Sequence, residues 1–311
     1  MTATTAAGGA PRRIGDRLFS GTALGAGLLI LAALAAVAIF LVVQSLPALG
    51  AKGTDLPQGF PTFWAYVVPL VFGTVWAAFL ALLMAVPLSL GIALFISHYA
   101  PRRLARGLGT IIDLLAAVPS VVYGLWGITV LAPFLQPGYR VLTETLGWIP
   151  LFSAPVSSTG RTVLTAAVVL AVMIIPIITA LSREIFLQTP RLNEEAALAL
   201  GATRWEMIRI AVLPFGRAGV VSAAMLGLGR ALGETLAVAM VLSPSVVISF
   251  FLLRSENPTT IAATIALNFP ESSGIGVNVL IAAGLVLFVL TFAVNAGARA
   301  IVGRRGGGKG L

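Results

Sequence analysis

No cysteine occurs among the 311 residues, and histidine occurs once, at His98. Those absences exclude a disulfide framework, a thiolate nucleophile, a cysteine metal site and a histidine cluster. Charge is scarce as well: 10% of the residues are Asp, Glu, Lys or Arg, against about 25% in an ordinary soluble domain. Hydrophobic residues make up 58% of the chain. No soluble fold hides that much apolar surface, so the bilayer must be the main solvent. The formal net charge is nevertheless +9, which in a soluble protein would suggest nucleic acid.

Hydropathy divides the chain into six expected spans. Residues 1–21, with Arg12, Arg13 and Arg17, read as a cytoplasmic tail, and 22–66 as a first membrane helix with an outer loop. The apolar run at 22–46 exceeds the roughly 7–15 residues of a signal-peptide core. Gly21 and Gly25 at its start are either a helix-packing pair or chance. Residues 67–302 form the main transmembrane domain, and 303–311 a second cytoplasmic tail. Within the domain, spans are expected at 67–97 with a kink near Pro87, at 110–135, at 162–181, from 218 to about 242, and at 277–301. Asp113 suits the N-terminus of the third span. Gln136 to Arg161 reads as a long, partly interfacial loop. Ser243-Pro244-Ser245 ends the fifth span and leaves 246–253 as an interfacial or re-entrant piece. Pro119 and Ser120, followed by Tyr123 and Gly124, predict a break in the third span, a feature that lines a path or serves packing. His98 reads as an interfacial residue rather than a proton carrier.

Basic residues set the orientation. Fourteen Lys and Arg fall in the two tails, the turn 98–109 and the segment 183–217, and Arg299, at the end of the last span beside the second tail, makes fifteen on that side; only Lys52, Arg140, Arg161 and Arg254 fall in the other loops. That asymmetry predicts both termini in the cytoplasm. It also explains the net charge as topological and lipid-facing, and so argues against a nucleic-acid partner.

One polar island interrupts the apolar chain, RLNEEAALALGATRWEMIRIAVLP at 191–214. It reads as two short helices joined at a glycine. Asn193 is the expected N-cap, with Glu194 and Glu195 in the first turn. Gly201 is the stop, Thr203 and Glu206 a capping box, and Pro214 the end of the second helix. Ala196, Ala197 and Leu200 make a small-residue face that a partner can approach closely.

Arg230 and Glu234 are the charges deep in a span. Arg230 lies about 18 Å along a helix starting at Ala218, at 1.5 Å per residue. A charge there costs at least about 2.5–3.5 kcal/mol. Gly229 and Gly233 form a G-x-x-x-G pair that would bring a neighbouring helix close. Two readings remain open: a self-satisfied ion pair, or an arginine fork presented to an oxyanion on a polar path. In the second, Glu234 tempers Arg230 or accepts a proton-bearing oxygen of the anion, which would favour hydrogenphosphate over sulfate. Near the C-terminus, Gly303, Gly308 and Lys309 imitate part of a phosphate-binding loop. Gly310 replaces the required Ser or Thr, and no strand precedes the motif. No ATP site is visible, so energy must enter from another subunit.

The island resembles the EAA loop of ABC-importer permeases, E-A-A-x3-G-x9-I-x-L-P. Glu195, Ala196, Ala197, Gly201, Leu213 and Pro214 match it; Ala211 stands at the isoleucine position. The stretches AAVPSVVYGLWG (116–127), PRLNEEAALALGATRWEMI (190–208) and GLGRALGETLAVAMVLS (227–243) are similar to the phosphate-specific importer permeases, more to the PstC type than to PstA. The resemblance implies an all-α type I importer permease fold in the plasma membrane of a prokaryote. It implies a PstA-type permease partner, two PstB-type ATPases and an extracytoplasmic phosphate-binding protein. ATP and Mg would sit on the ATPases, and this chain would be no enzyme and bind no cofactor. Coupling would fall to the matched island residues, and the substrate path to Arg230, Glu234, Ser120 and Tyr123. Rival classes are a permease for another oxyanion, a secondary transporter without an ATPase, and a membrane scaffold or sensor.

Overall fold

Helix α6 (Val163–Leu187) is the axle of the molecule. Thr162 starts it, accepting a bond from the Thr165 amide at 3.1 Å. Small and branched residues then cover most of its circumference, so neighbours pack on several sides. Ala166, Ala167, Leu170, Met173, Ile174 and Ile178 are all buried. The computed structural model describes residues 14–306; the tail segments 1–13 and 307–311, including Gly308 and Lys309 of the loop-like motif, lie outside the described residues.

Two long partners flank α6. Helix α2 (Phe63–Leu94) continues through a π turn at Phe95–Tyr99. Helix α9 (Leu213–Leu232) lays three glycines against α6. An added Cβ would come within 3.0 Å of Phe186 at Gly216, 2.6 Å of Ile185 at Gly219 and 2.7 Å of Ile178 at Gly227. These, rather than Gly229 and Gly233, bring the helices close. Gly229 meets nothing within 4 Å, and Gly233 meets only the Gly229 carbonyl. Gly21 and Gly25, in α1 (Ile14–Leu49), likewise meet nothing within 4 Å.

Among the described residues, six helices are long and apolar enough to span a membrane, at Leu18–Leu49, Phe63–Tyr99, Ser120–Leu146, Val163–Leu187, Arg204–Leu232 and Ile275–Ala300. Several boundaries differ from expectation. The expected tail residues 14–21 already belong to α1. The third span begins later, because α3 (Arg102–Ala116) is a separate amphipathic helix. Pro119 forces an extended residue between it and α4 (Ser120–Trp126), which runs through a π turn into α5 (Ala132–Leu146). The expected break is therefore present, but Asp113 lies near the C-terminal end of α3 and does not start a span. The supposed loop from Gln136 is helical up to Leu146, with Pro137 inside α5.

Beyond α9, Gly233 to Thr235 interrupt the fifth span, and a half-helix α10 (Leu236–Val241) follows. Residues 242–260 are then mostly extended. Strand β1 (Pro244–Ser245) pairs in parallel with β2 (Asn257–Pro258). A short helix α11 (Ile261–Asn268), not expected from the hydropathy pattern, is capped by Thr260 and precedes α12 (Ile275–Gly306). Buried polar groups stitch this end together. Asn257, fully buried, accepts from the Val163 amide and donates to the Arg161 and Ser255 carbonyls at 2.9–3.0 Å. Thr74 of α2 accepts from the Ile261 amide at 3.0 Å. Tyr139 joins Thr165 at 2.8 Å. Each bond satisfies a group that apolar surroundings would otherwise penalise.

Candidate functional site

The island occupies the opposite end of the bundle. Helix α7 (Arg191–Ala199) is preceded by Pro190 in the cap position, so Asn193 lies inside the first turn and is not the cap. Proline suits that position because its fixed φ and missing donor cost nothing before a helix. Gly201 ends α7 with φ +87°, a conformation that costs L-residues about 1–2 kcal/mol. The Gly201 amide bonds the Leu198 carbonyl and the Ala202 amide that of Ala197, closing a Schellman motif. Thr203 and Glu206 form the expected capping box: the Thr203 amide donates to Glu206 Oε2 at 2.8 Å, and the Glu206 amide to Thr203 Oγ1 at 3.4 Å.

The second half of the island departs from expectation. Helix α8 (Arg204–Met207) passes through a π turn at Ile208–Val212 straight into α9, making one helix from Arg204 to Leu232. Pro214 does not end a helix. It stands in the first turn of α9, where the π turn has already displaced the backbone bonds that proline would break. Ala197 faces inward, buried with Ala93, Phe186, Met207, Ile208 and Val212. The outward face of the island carries Glu195 and Ala196 with bulky residues, chiefly Leu192 and Leu200, the latter 90% exposed. The small-residue face is thus divided: one alanine anchors the island and the rest flank exposed leucines. His98 Nε2 lies 3.5 Å from Glu194 Oε1, a contact that ties the π turn after α2 to α7.

The two membrane charges do not pair. No carboxylate lies within 4.0 Å of Arg230 among the described residues. Each charge instead answers a helix end created by the break. Arg230 sits in the last turn of α9, where carbonyls accumulate negative partial charge. Glu234, 7% exposed, accepts from the Ala237 amide at 3.1 Å and so holds the start of α10. Running the helix unbroken through Gly233, as the sequence suggests, puts both on one face; the break removes that relation.

Arg230 opens onto a cavity of about 770 Å³ between α6, α9 and α12, whose lining includes Ser222, Gly229, Asn295 and Arg299. Its Nε is buried and has no hydrogen-bond partner among the described residues. Glu234, Ser120 and Tyr123 are not among the lining residues. Ser120 opens α4. Tyr123 donates to the Leu115 carbonyl at 2.9 Å and braces the break between α3 and α4. Helix α4 in turn lies on α10, where Gly124 leaves room for Ala237 and Met240. Of the four expected path residues, Arg230 lines the cavity, and Glu234, Ser120 and Tyr123 lie at the two helix breaks.

A residue counted in the sequence only as a loop charge belongs to the same construction. Arg161 donates to the Met240, Val241 and Leu242 carbonyls at 3.1, 3.4 and 2.8 Å, holding the free end of α10. Its position one residue before the Thr162 cap was the available clue. The half-helix is therefore fixed at both ends, by Glu234 and by Arg161.

A helix bundle with an exposed two-helix island, a broken fifth span and a cationic cavity defines a class. The chain belongs to the family of binding-protein-dependent transport system inner membrane components, whose model matches residues 85–306. Such a chain is a multi-pass inner-membrane permease component that works with separate ATPase and permease subunits. Its relatives narrow the class to PstC-type permeases. It is 48% identical over 303 residues to the phosphate transport system permease protein PstC 2 of Mycobacterium tuberculosis, covering 94% of this chain and 93% of the relative. It is 40% identical to the PstC of Mesorhizobium japonicum, covering 91% and 89%. In fold it is similar to a bacterial ABC transporter involved in alginate import, with TM-score 0.64 and 19% identity over 93% of this chain and 96% of the other. An inward-facing MetNI methionine transporter matches at TM-score 0.53 and 20% identity, covering 76% and 94%.

Proposed function

We propose that this chain is the PstC-type permease subunit of an ATP-driven importer that moves inorganic phosphate inward across the cytoplasmic membrane. The observation that carries the reading is Arg230. It is a guanidinium with no carboxylate partner among the described residues, and it lines a cavity beside the spans of a chain whose relatives are named phosphate permeases. Both termini and the island lie in the cytoplasm in this reading. A PstA-type permease forms the other half of the pathway. Two PstB-type ATPases, which hold ATP and Mg, dock on 191–214 through the face bearing Glu195, Ala196 and the exposed leucines. An extracytoplasmic phosphate-binding protein delivers the anion to the far end.

The mechanics derive from the connections. Closure of the ATPases displaces α7 and α8. Gly201 and the capping box keep the two helices in a set relation while they move. The helix from Arg204 to Leu232 carries the displacement to Arg230 without an intervening loop. Gly233 to Thr235 absorb it, since α10 is held by Arg161 and Tyr123 braces the neighbouring break. Arg230 thus changes its surroundings when the motor moves, which is what alternating exposure of an anion site requires.

The test is uptake of labelled phosphate, with sulfate as competitor, in cells that depend on this system. Arg230→Ala should abolish uptake and Arg230→Lys should retain part of it. Normal uptake in the alanine variant would remove Arg230 from the path. Uptake that persists without any ATPase would replace an ABC importer with a secondary transporter.

A further inference from the structure

The cavity holds a second arginine, outside the set of four expected path residues. Asn295 and Arg299 are four apart on α12, share one face, and both line the cavity opposite α9. Two guanidinium groups thus line one open cavity. No carboxylate lines that space, and none lies within 4.0 Å of either arginine, among the described residues. Arg230 is half-buried and Arg299 is exposed. Helix-end electrostatics do not account for Arg299, because α12 continues to Gly306 and that effect fades within the last turn. Space beside Arg230 is open, since an added Cβ at Gly229 meets nothing within 4 Å.

The order along the helices gives the cavity a direction. From Ser222 to Arg230, α9 advances about 12 Å away from the island. Helix α12 runs the other way, so Arg299 lies nearer the island than Asn295. Arg230 stands on the far side of the cavity and Arg299 on the island side.

We propose that Arg299 and Asn295 form, with Arg230, a second holding point for a tetrahedral oxyanion in the α9–α12 cavity. The anion is held there by the Arg299 fork and the neutral Asn295 amide, with Arg230 at the other end of the cavity. The inference rests on the phosphate-import reading and deepens it. The anion meets Arg230 first and is handed to Arg299 and Asn295 on its way inward.

The absence of cysteine makes a clean experiment possible. Ser222→Cys places one thiol in the cavity wall of the assembled transporter, held in nanodiscs of neutral lipid. Its modification is timed with an anionic and with a cationic thiosulfonate reagent, with and without inorganic phosphate. The anionic reagent should react faster, and phosphate should slow it. Adding Arg299→Ala should weaken phosphate protection about tenfold, the loss expected for one charged hydrogen-bonding group. Asn295→Ala should weaken it less, and Arg299→Lys should keep the preference for the anionic reagent while losing part of the protection. In uptake assays Arg299→Ala should raise the apparent KM for phosphate. Unchanged protection and unchanged KM in Arg299→Ala, while Arg230→Ala abolishes uptake, would overturn the second holding point and leave phosphate import standing. Lack of any phosphate effect on the thiol, together with uptake indifferent to Arg230→Ala, would instead overturn the import reading. A headgroup phosphate shares the same chemistry. If phosphatidylglycerol nanodiscs shield the thiol and free phosphate in neutral ones does not, the cavity takes lipid, and the substrate-holding role is refuted.

Discussion

Arg161→Ala should loosen α10 without unfolding the bundle. Its side chain makes two well-formed bonds, to the Leu242 and Met240 carbonyls, and a longer one to Val241. A hydrogen bond to a charged group contributes about 1.5–3 kcal/mol. Part of the loss is recovered, because Arg161 also lines a small polar cavity of about 390 Å³ with Gln136, Ser158 and Thr159, from which water can reach the freed carbonyls. A net local cost of about 2–4 kcal/mol is the working figure. At 1.4 kcal/mol per factor of ten, local opening of α10 becomes at least about thirty-fold more frequent. Hydrogen exchange of the amides of residues 237–242, measured on the assembled transporter, reads that opening directly. Amides of α6 should keep wild-type protection, because the backbone carbonyl of Arg161 still receives Asn257. Arg161→Lys should fall between, since one ammonium cannot span three carbonyls as a guanidinium does. Wild-type exchange across α10 in Arg161→Ala would refute the claim that this arginine holds the half-helix. Equal loss of protection in α6 would show that it supports the whole far end instead.

The same geometry sets three further outcomes. Glu234→Ala should cost about 1 kcal/mol at the start of α10, whereas Glu234→Gln retains an acceptor and should lose less; exchange at Ala237 distinguishes them. Gly227→Val should disrupt the transporter by forcing a side chain into Ile178, while Gly229→Ala should be sterically tolerated, a contrast readable from yield and thermal stability of the purified complex. Gly201→Ala should strain the α7–α8 turn by about 1–2 kcal/mol and reduce ATPase retention on co-purification, whereas Leu200→Asp should reduce retention without affecting permease stability.

The sequence carried a good deal of this architecture. Six spans were legible because a run of about 20 apolar residues has no alternative in water. The island was legible because its signals are local: Gly201 has to adopt a positive φ, and Thr203 and Glu206 satisfy each other across three residues. The break at Pro119 was legible for the same reason, since proline acts on its own backbone and on the residue before it. The break at Gly233 was not. Glycine is tolerated inside membrane helices, and nothing in Gly233-Glu234-Thr235 says that the helix stops there until α4 and Arg161 are in place to hold α10.

The chain by itself therefore determined the solvent, the number of spans, the position of the island and the presence of two costly membrane charges. Those properties depend on composition and on contacts a few residues apart. Tertiary structure alone decided what the charges do. It separated Arg230 from Glu234 by ending a helix between them, turned Glu234 and Arg161 to the two ends of α10, and put Arg230 on the same cavity as Arg299, 69 positions further along the chain. The physical reason is that a charge in a membrane must find a partner, a helix end or a wet cavity. Which of these it finds depends on neighbours that linear spacing does not reveal.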